Sequence, residues 1–144
     1  MNEPLLDRHR ELFPHFADEI DAFYRQQFRY KKSCADARFP TVGIRRAAID
    51  LYLRFEQSEV AIGHTVVIAR IGFRHQRQGH GTRLLAKLVA MSEDYGIRSI
   101  GVEQTGPDPS IQNFVRKFGF NNHVDQQNWI LPVDSLKERL QQVS

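Results

Sequence analysis

His64-Thr65-Val66-Val67-Ile68-Ala69-Arg70-Ile71-Gly72-Phe73, followed by Arg74-His75-Gln76-Arg77-Gln78-Gly79-His80-Gly81 and then Thr82-Arg83-Leu84-Leu85, carries the strand-to-helix transition that sets the fold class. The first ten residues are rich in β-branched side chains and predict a strand. Gly79 and Gly81 punctuate the segment after it. From Thr82 to Tyr95 the apolar positions Leu84, Leu85, Leu88, Val89 and Met91 predict a helix, with Gly96 as its stop. Ile97 to Gln104 reads as a second strand. The unit is strand, helix, strand, the signature of a parallel pair with a crossover helix.

Toward the C-terminus, Asp108-Pro109 suits a helix start, since Asp caps and Pro at the first turn loses no needed N–H. That helix is expected to reach about Phe118 and stop at Gly119. Phe120–Val124 and Trp129–Val133 read as a closing hairpin. Ser135 and Glu138 form a capping box for a last helix. Toward the N-terminus, Ala48 to Phe55 alternates as a strand does, and Glu56-Gln57-Ser58 reads as a turn before the apolar Val60-Ala61-Ile62. Tyr30 to Thr41 is polar, basic and contains Pro40, and reads as a loop. From Leu5 to Phe28 apolar residues, with His9 among them, recur in steps of three and four, a helical face. Pro14 interrupts it, predicting two helices or a kink. The class is α/β, with a mostly antiparallel first half and a βαβ unit in the second.

The chain of 144 residues is long enough for one domain with a proper core. Hydrophobic residues at 41% and charged residues at 26% are an ordinary soluble balance. No eighteen-residue apolar run occurs, so no membrane span is expected. Met1-Asn2-Glu3-Pro4 lacks the pattern of a signal peptide, and the single Cys34 fits a reducing compartment, so the expected location is cytoplasmic. The net charge of +3 and pI of about 9.2 suit an anionic ligand, either a phosphorylated cofactor or nucleic acid. Cations concentrate at Arg25, Arg29, Lys31, Lys32, Arg38, Arg45 and Arg46, and again at Arg70, Arg74, Arg77 and Arg83. Histidines and Cys34 lack metal-ligand spacing, so no metal is expected.

A helix N-terminus carries N–H groups without internal partners and a partial positive charge. Glycines at 79 and 81 let an anion approach the backbone, and Arg77, His80 and Arg83 add charge around it. A pyrophosphate fits such a site; so does a plain turn that uses glycine for geometry. The Walker pattern fails for want of a Lys, and the dinucleotide pattern fails at Leu84.

Gln76-Arg77-Gln78-Gly79-His80-Gly81 resembles the GNAT signature Gln/Arg-x-x-Gly-x-Gly/Ala, placed between a strand and a helix. Thr82-Arg83-Leu84-Leu85 resembles the start of that family's third helix. Asp108 to Phe120, ending Phe114-Val115-Arg116-Lys117-Phe118-Gly119-Phe120, resembles its second motif. The resemblance covers roughly residues 48 to 132. It implies a GNAT-like acyl-CoA N-acyltransferase fold: a mixed, mostly antiparallel sheet with splayed strands, flanked by helices. It implies a single domain over 1–144, with a helical N-terminal part at about 4–30. The cofactor implied is acetyl-CoA or another acyl-CoA. Its pantetheine arm would pair with main-chain groups near Ile71 and Phe73, in the gap opened toward Ile97–Gln104. Its pyrophosphate would lie on N–H groups of Gln78, Gly79, His80, Gly81, Thr82 and Arg83, with Gln76 and Arg77 beside them. The helix carrying Asp108 and Phe114 would flank the arm.

Acyl transfer needs a base for the attacking amine, a donor for the thioester oxygen, and a proton for the leaving thiolate. The resemblance assigns the oxyanion donor to the Ile71–Phe73 strand. It places the proton-donating Tyr at Val115, so that group is missing, and water is left to serve. Asp108 stands where Asn is common. Glu103 is the best carboxylate for a base, sharing a strand face with Ser99 and Gly101, while His75 and His123 are reserves. Ser110 could donate to the sulfur or cap its helix. The acceptor is read as an amine on a small molecule or protein, met by the Tyr24–Pro40 region. An acyl-CoA-binding regulatory module and a nucleic-acid binder remain as alternatives, and the resemblance also admits a homodimer.

Overall fold

The computed structural model describes residues 3–57, 63–75, 78–103, 114–122 and 128–143. The chain opens with helix α1 (Glu3–Phe28), then strands β1 (Ala35–Arg38), β2 (Thr41–Arg46), β3 (Ile49–Gln57) and β4 (His64–Phe73). Helix α2 (His80–Tyr95) and strand β5 (Ile97–Glu103) follow. After helical residues 114–117 come β6 (Asn121–Asn122), β7 (Asn128–Pro132) and the C-terminal helix α3 (Val133–Val143). The strands form one seven-stranded sheet in the order β1-β2-β3-β4-β5-β7-β6. The β4–β5 pair is parallel, as a crossover helix requires; every other neighbouring pair is antiparallel.

One sheet face is apolar and helix-covered. Leu51, Leu53 and Phe55 of β3 alternate with Tyr52, Arg54 and Glu56, so the strand buries one face and turns polar groups to the other. Val66 and Ile68 of β4 and Ile100 and Val102 of β5 extend the buried face. Phe16 of α1 stacks on Phe55 at 4.8 Å and meets Tyr95 of α2 edge-on at 5.9 Å, tying both helices to the sheet. Burying each such large side chain is worth about 1.5–3 kcal/mol. Lys87 of α2 reaches Glu19 of α1 at 3.1 Å across the helix pair.

Four expectations are corrected. Of the two outcomes expected at Pro14, two helices or a kink, the division into two does not occur: α1 is one helix with Pro14 inside it. Pro14 lies on the exposed side, where the carbonyl that loses its N–H partner meets water, and Phe13 and Phe16 anchor the chain on either side. The stretch read as a loop, Tyr30 to Thr41, holds β1 and the turn into β2; Val42 and Ile44 of β2 alternate into the core and pin the hairpin to β3. Glu56 and Gln57 belong to β3, paired with Thr65 and His64, rather than to a turn. Helix α3 starts at Val133, so Ser135 is already within the helix and cannot cap it. Burial of Val133 and Leu136 sets that earlier start. The apolar run Val60-Ala61-Ile62 lies outside the described residues.

A half-buried carboxylate ties α1 to the first strand. Asp21 of α1 accepts from the backbone N–H groups of Cys34 and Ala35 at 2.7 and 2.8 Å and from Ser33 Oγ at 3.0 Å, fixing the entry into β1. Cys34 is buried, and desolvation with the adjacent Asp21 charge pushes its thiol up to about 11. It is an unreactive core thiol.

Candidate functional site

Two features of β4 make an opening in the sheet. Among the described residues its pairing with β5 runs from His64↔Ile97 to Ile68↔Val102, while β4 continues to Phe73 along β3. A register shift against β3 falls at the same point, with Tyr52 opposite Arg70 and Leu53 opposite Ile68, so Ala69 is the extra residue of a bulge. Bulges increase local twist and bend a strand away from its neighbour. The two strands therefore fork just past Ile68.

Hydrogen-bond alternation fixes what lines the fork. The Arg74 N–H donates to the Ala48 carbonyl at 3.0 Å. In an antiparallel pair, bonded and non-bonded positions alternate, so Gly72 and Arg70 also turn their main-chain groups toward β3. Those of Ile71 and Phe73 then face the other way, toward the β5 side, where no described residue pairs with them. Their side chains lie on the helix-covered face, opposite Leu51 and Ile49.

The open edge runs toward the start of α2. Gly79 is the N-cap, with φ 78° and no side-chain capping bond; a Cβ there would be strained. The Arg83 N–H donates to the Gly79 carbonyl at 2.9 Å. The first-turn N–H groups of His80, Gly81 and Thr82 have no intrahelical acceptor. Gly81 serves a different purpose: a Cβ there would stand 2.6 Å from Cε1 of Phe114. Phe114, half-buried, thus seats its ring on the backbone of the loop, and residues 114–117 reach the same end of the molecule as α2. Gln78 and Arg83 are exposed beside them. His80 is clasped by Gln27 and Arg83 through Nδ1 and stacked on Phe73 at 4.8 Å. Burial foremost, then the charges of Arg83 and His75, hold its pKa below the ordinary value. Gln76, Arg77, Asp108, Ser110 and His123 lie outside the described residues.

The polar sheet face carries a charge cluster at the fork. Glu103 ends β5, one residue past the last β4–β5 pair. Both its oxygens take the Arg54 guanidinium, one of them with Arg54 Nη1 at 3.3 Å. Arg54 Nε donates to Glu56 Oε1 at 2.6 Å. Two carboxylates on one guanidinium leave the trio with one net negative charge. On the same face Thr65 and Ser99 share a hydrogen bond of 2.8 Å, and Arg70 pairs with Asp50 at 2.9 Å and lies over the Tyr52 ring at 5.4 Å. Val115, by contrast, is fully buried in the core with Phe118. His75 is exposed at the strand exit.

Of the expected residues, Ile71, Phe73, Gln78, Gly79, His80, Gly81, Thr82, Arg83 and Phe114 are brought to one end of the sheet, and Glu103 stands at the fork. Arg54, Glu56 and Gln27 were not anticipated. Arg54 and Glu56 had a legible signal, the polar phase of the β3 alternation. Gln27 had none, because its contact with His80 spans 53 positions in sequence.

No family model and no curated protein sequence matches the chain. Solved structures do. The KacTA–DNA complex superposes with a TM-score of 0.51 at 17% identity, over 71% of this chain and 72% of that one. The AtaTR structure bound with acetyl-CoA gives 0.50 at 19% identity over 68% of each chain. The AtaT–AtaR complex bound to DNA gives 0.50 at 18% identity, over 68% of this chain and 70% of that one. Together with the forked β4–β5 pair and the glycine-capped α2, these likenesses establish that the chain has the fold of the GNAT acetyltransferases.

Proposed function

We propose that the chain is an acyl-CoA-dependent N-acyltransferase that moves an acetyl group from acetyl-CoA to a primary amine of a small molecule or protein. The observation that carries this reading is that the β4 edge at Ile71 and Phe73 and the first-turn N–H groups of α2 lie at one end of the sheet, both without a main-chain partner among the described residues. A ligand with an amide-bearing arm and a pyrophosphate uses both. The arm adds to the strand edge as a further strand would, and the pyrophosphate takes the helix N-terminus. Exposed Arg83 supplies charge, and Phe114 walls the loop. Acetyl-CoA in the AtaTR structure agrees with this choice of ligand.

In this reading the N–H groups of the Ile71–Phe73 edge that do not pair with the arm stabilise the developing oxyanion. Glu103 accepts the proton of the attacking ammonium, directly or through water. The net negative Arg54–Glu56–Glu103 trio attracts that cation to the fork, and the ammonium competes with Arg54 for Glu103. The thiolate leaves to solvent, since Val115 offers no donor.

A second reading is a module that binds acyl-CoA without turnover. The burial of Val115 and the engagement of Glu103 by Arg54 both favour it. Acetyl-CoA is expected to raise the melting temperature under either reading, because a ligand of the native state alone adds apparent stability. Release of free CoA with an amine panel separates them. For the enzyme, Glu103→Gln lowers turnover most near neutral pH and leaves CoA affinity within about twofold, since base catalysis typically contributes 10²–10⁴-fold. An unchanged pH–rate profile removes Glu103 from the chemistry, and no turnover with any amine despite tight binding selects the module.

A further inference from the structure

His80 is held in a manner that a phosphate loop by itself does not require. Its Nδ1 lies 2.5 Å from Nε2 of Gln27, on the last turn of α1, and 3.1 Å from an Arg83 guanidinium nitrogen. Arg has donors and no acceptor, so Nδ1 must be the lone-pair nitrogen, whichever way the Gln27 amide is turned. The ring proton then sits on Nε2. Phe73 of β4 stacks on one side at 4.8 Å and 24°, and Phe28 of α1 approaches at 5.3 Å and 42°.

The surroundings oppose a second ring proton. Among the described residues, the titratable groups acting on His80 are Arg83 of its own helix and His75 after β4, and both disfavour a cation there, with burial acting the same way more strongly. The elements packed against it, α1 and β4, present the uncharged Gln27, Phe28 and Phe73. The positive end of the α2 dipole adds to the same sense.

We propose that Gln27 is a positioning residue of the loop, and that the Gln27–His80–Arg83 arrangement is a proton-sensitive lock joining α1 to the start of α2. In the locked form the imidazole is neutral with its proton on Nε2, and Arg83 is held beside the first-turn N–H groups. A proton added at Nδ1 places an N–H against two donors. Gln27 must then turn its amide and Arg83 must withdraw. The state of α1 is thereby coupled to the anion-binding end of the loop, which makes α1 a regulator of that site. This regulatory role rests on the acyl-CoA reading given above, whereas the lock itself does not.

The test has two arms on the full chain. In the first, the nitrogen resonances of His80 are followed by NMR from pH 8 to 5 without ligand. The expected state of the wild type is the Nε2–H tautomer, titrating below the ordinary histidine value. Gln27→Glu places an acceptor at Nδ1 and is expected to raise the His80 midpoint and populate the imidazolium at a pH where the wild type is neutral. An Nδ1–H tautomer in the wild type, or an unmoved midpoint in Gln27→Glu, overturns the lock. In the second arm, CoA binding is measured by calorimetry at pH 7.5 for the wild type and Gln27→Leu, both checked for a retained melting transition. At least a threefold loss of affinity is expected in the variant. An equal affinity overturns the positioning role. A wild type that binds no CoA overturns the acyl-CoA reading and the regulatory role resting on it, and the first arm still decides the lock.

Discussion

The two halves of β4 differ sharply although they belong to one strand. From His64 to Ala69 every residue is buried; from Arg70 to Phe73 none is. The first half is zipped between β3 and β5 and sealed by α1 and α2. The second half keeps β3 but has no partner on the β5 side among the described residues, and it leads to the start of α2. One strand thus supplies stability at one end and, at the other, main-chain groups that no described residue pairs. The bulge at Ala69 separates them, an extra residue where the partner strand leaves. Backbone groups left unpaired at a sheet edge are costly when dry, so the open half is the part of the strand a ligand would complete.

The largest test of that contrast compares Ile68→Ala with Ile71→Ala in urea denaturation. Ile68 is fully buried, and the truncation should cost about 2–5 kcal/mol. Ile71 is only half-buried and should cost clearly less. Equal losses would erase the distinction between the halves. Next comes Gly81→Ala, whose methyl would meet the Phe114 ring at 2.6 Å and should cost about 1–3 kcal/mol by overpacking. Adding Phe114→Leu should recover part of this. Additive losses would mean that Phe114 does not seat on the loop.

A pH test addresses the zipped half. His9 of α1 packs on His64 at 4.9 Å and donates through Nε2 to the Phe55 carbonyl. Desolvation, above all, holds its pKa below the ordinary value. A histidine depressed in the folded state binds fewer protons there than in the unfolded chain. Its contribution is therefore complete above the unfolded value of about 6.5 and lost as pH falls from there through the folded value. Stability measured between pH 7.5 and 5 should decline on acidification, and His9→Leu should flatten that slope. The smallest effect is expected on the exposed Asp50–Arg70 pair beside the open half: Asp50→Asn should change stability by about 0.2–1 kcal/mol and less in high salt. A larger loss would mean that the open half is held by charge rather than by β3.

Particular elements explain what was legible in advance. Strand β4 and helix α2 were readable to within two residues, because their apolar periods are long and Gly96 ends the helix with φ 64°. The β1–β2 hairpin was not, since Ala35–Arg38 carries no apolar alternation and is a strand only because β2 pairs with it. Pro14 misled for a related reason: propensity is local, and the packing of Phe13, Phe16 and Ile20 on the sheet outweighs it. At the candidate site the two glycines stood out as a motif, but their separate reasons did not. Gly79 answers to its own φ, and Gly81 to a ring 33 positions away.

From sequence alone the strand–loop–helix unit, the β3 alternation and the glycines of the loop were legible, because periodicity and backbone freedom are properties of neighbouring residues. The tertiary structure decided where β5 leaves β4, which main-chain groups that frees, how Arg54 engages Glu103, and that Gln27 grips His80. Each of these joins residues far apart in the chain, and their partners are chosen by packing rather than by local pattern.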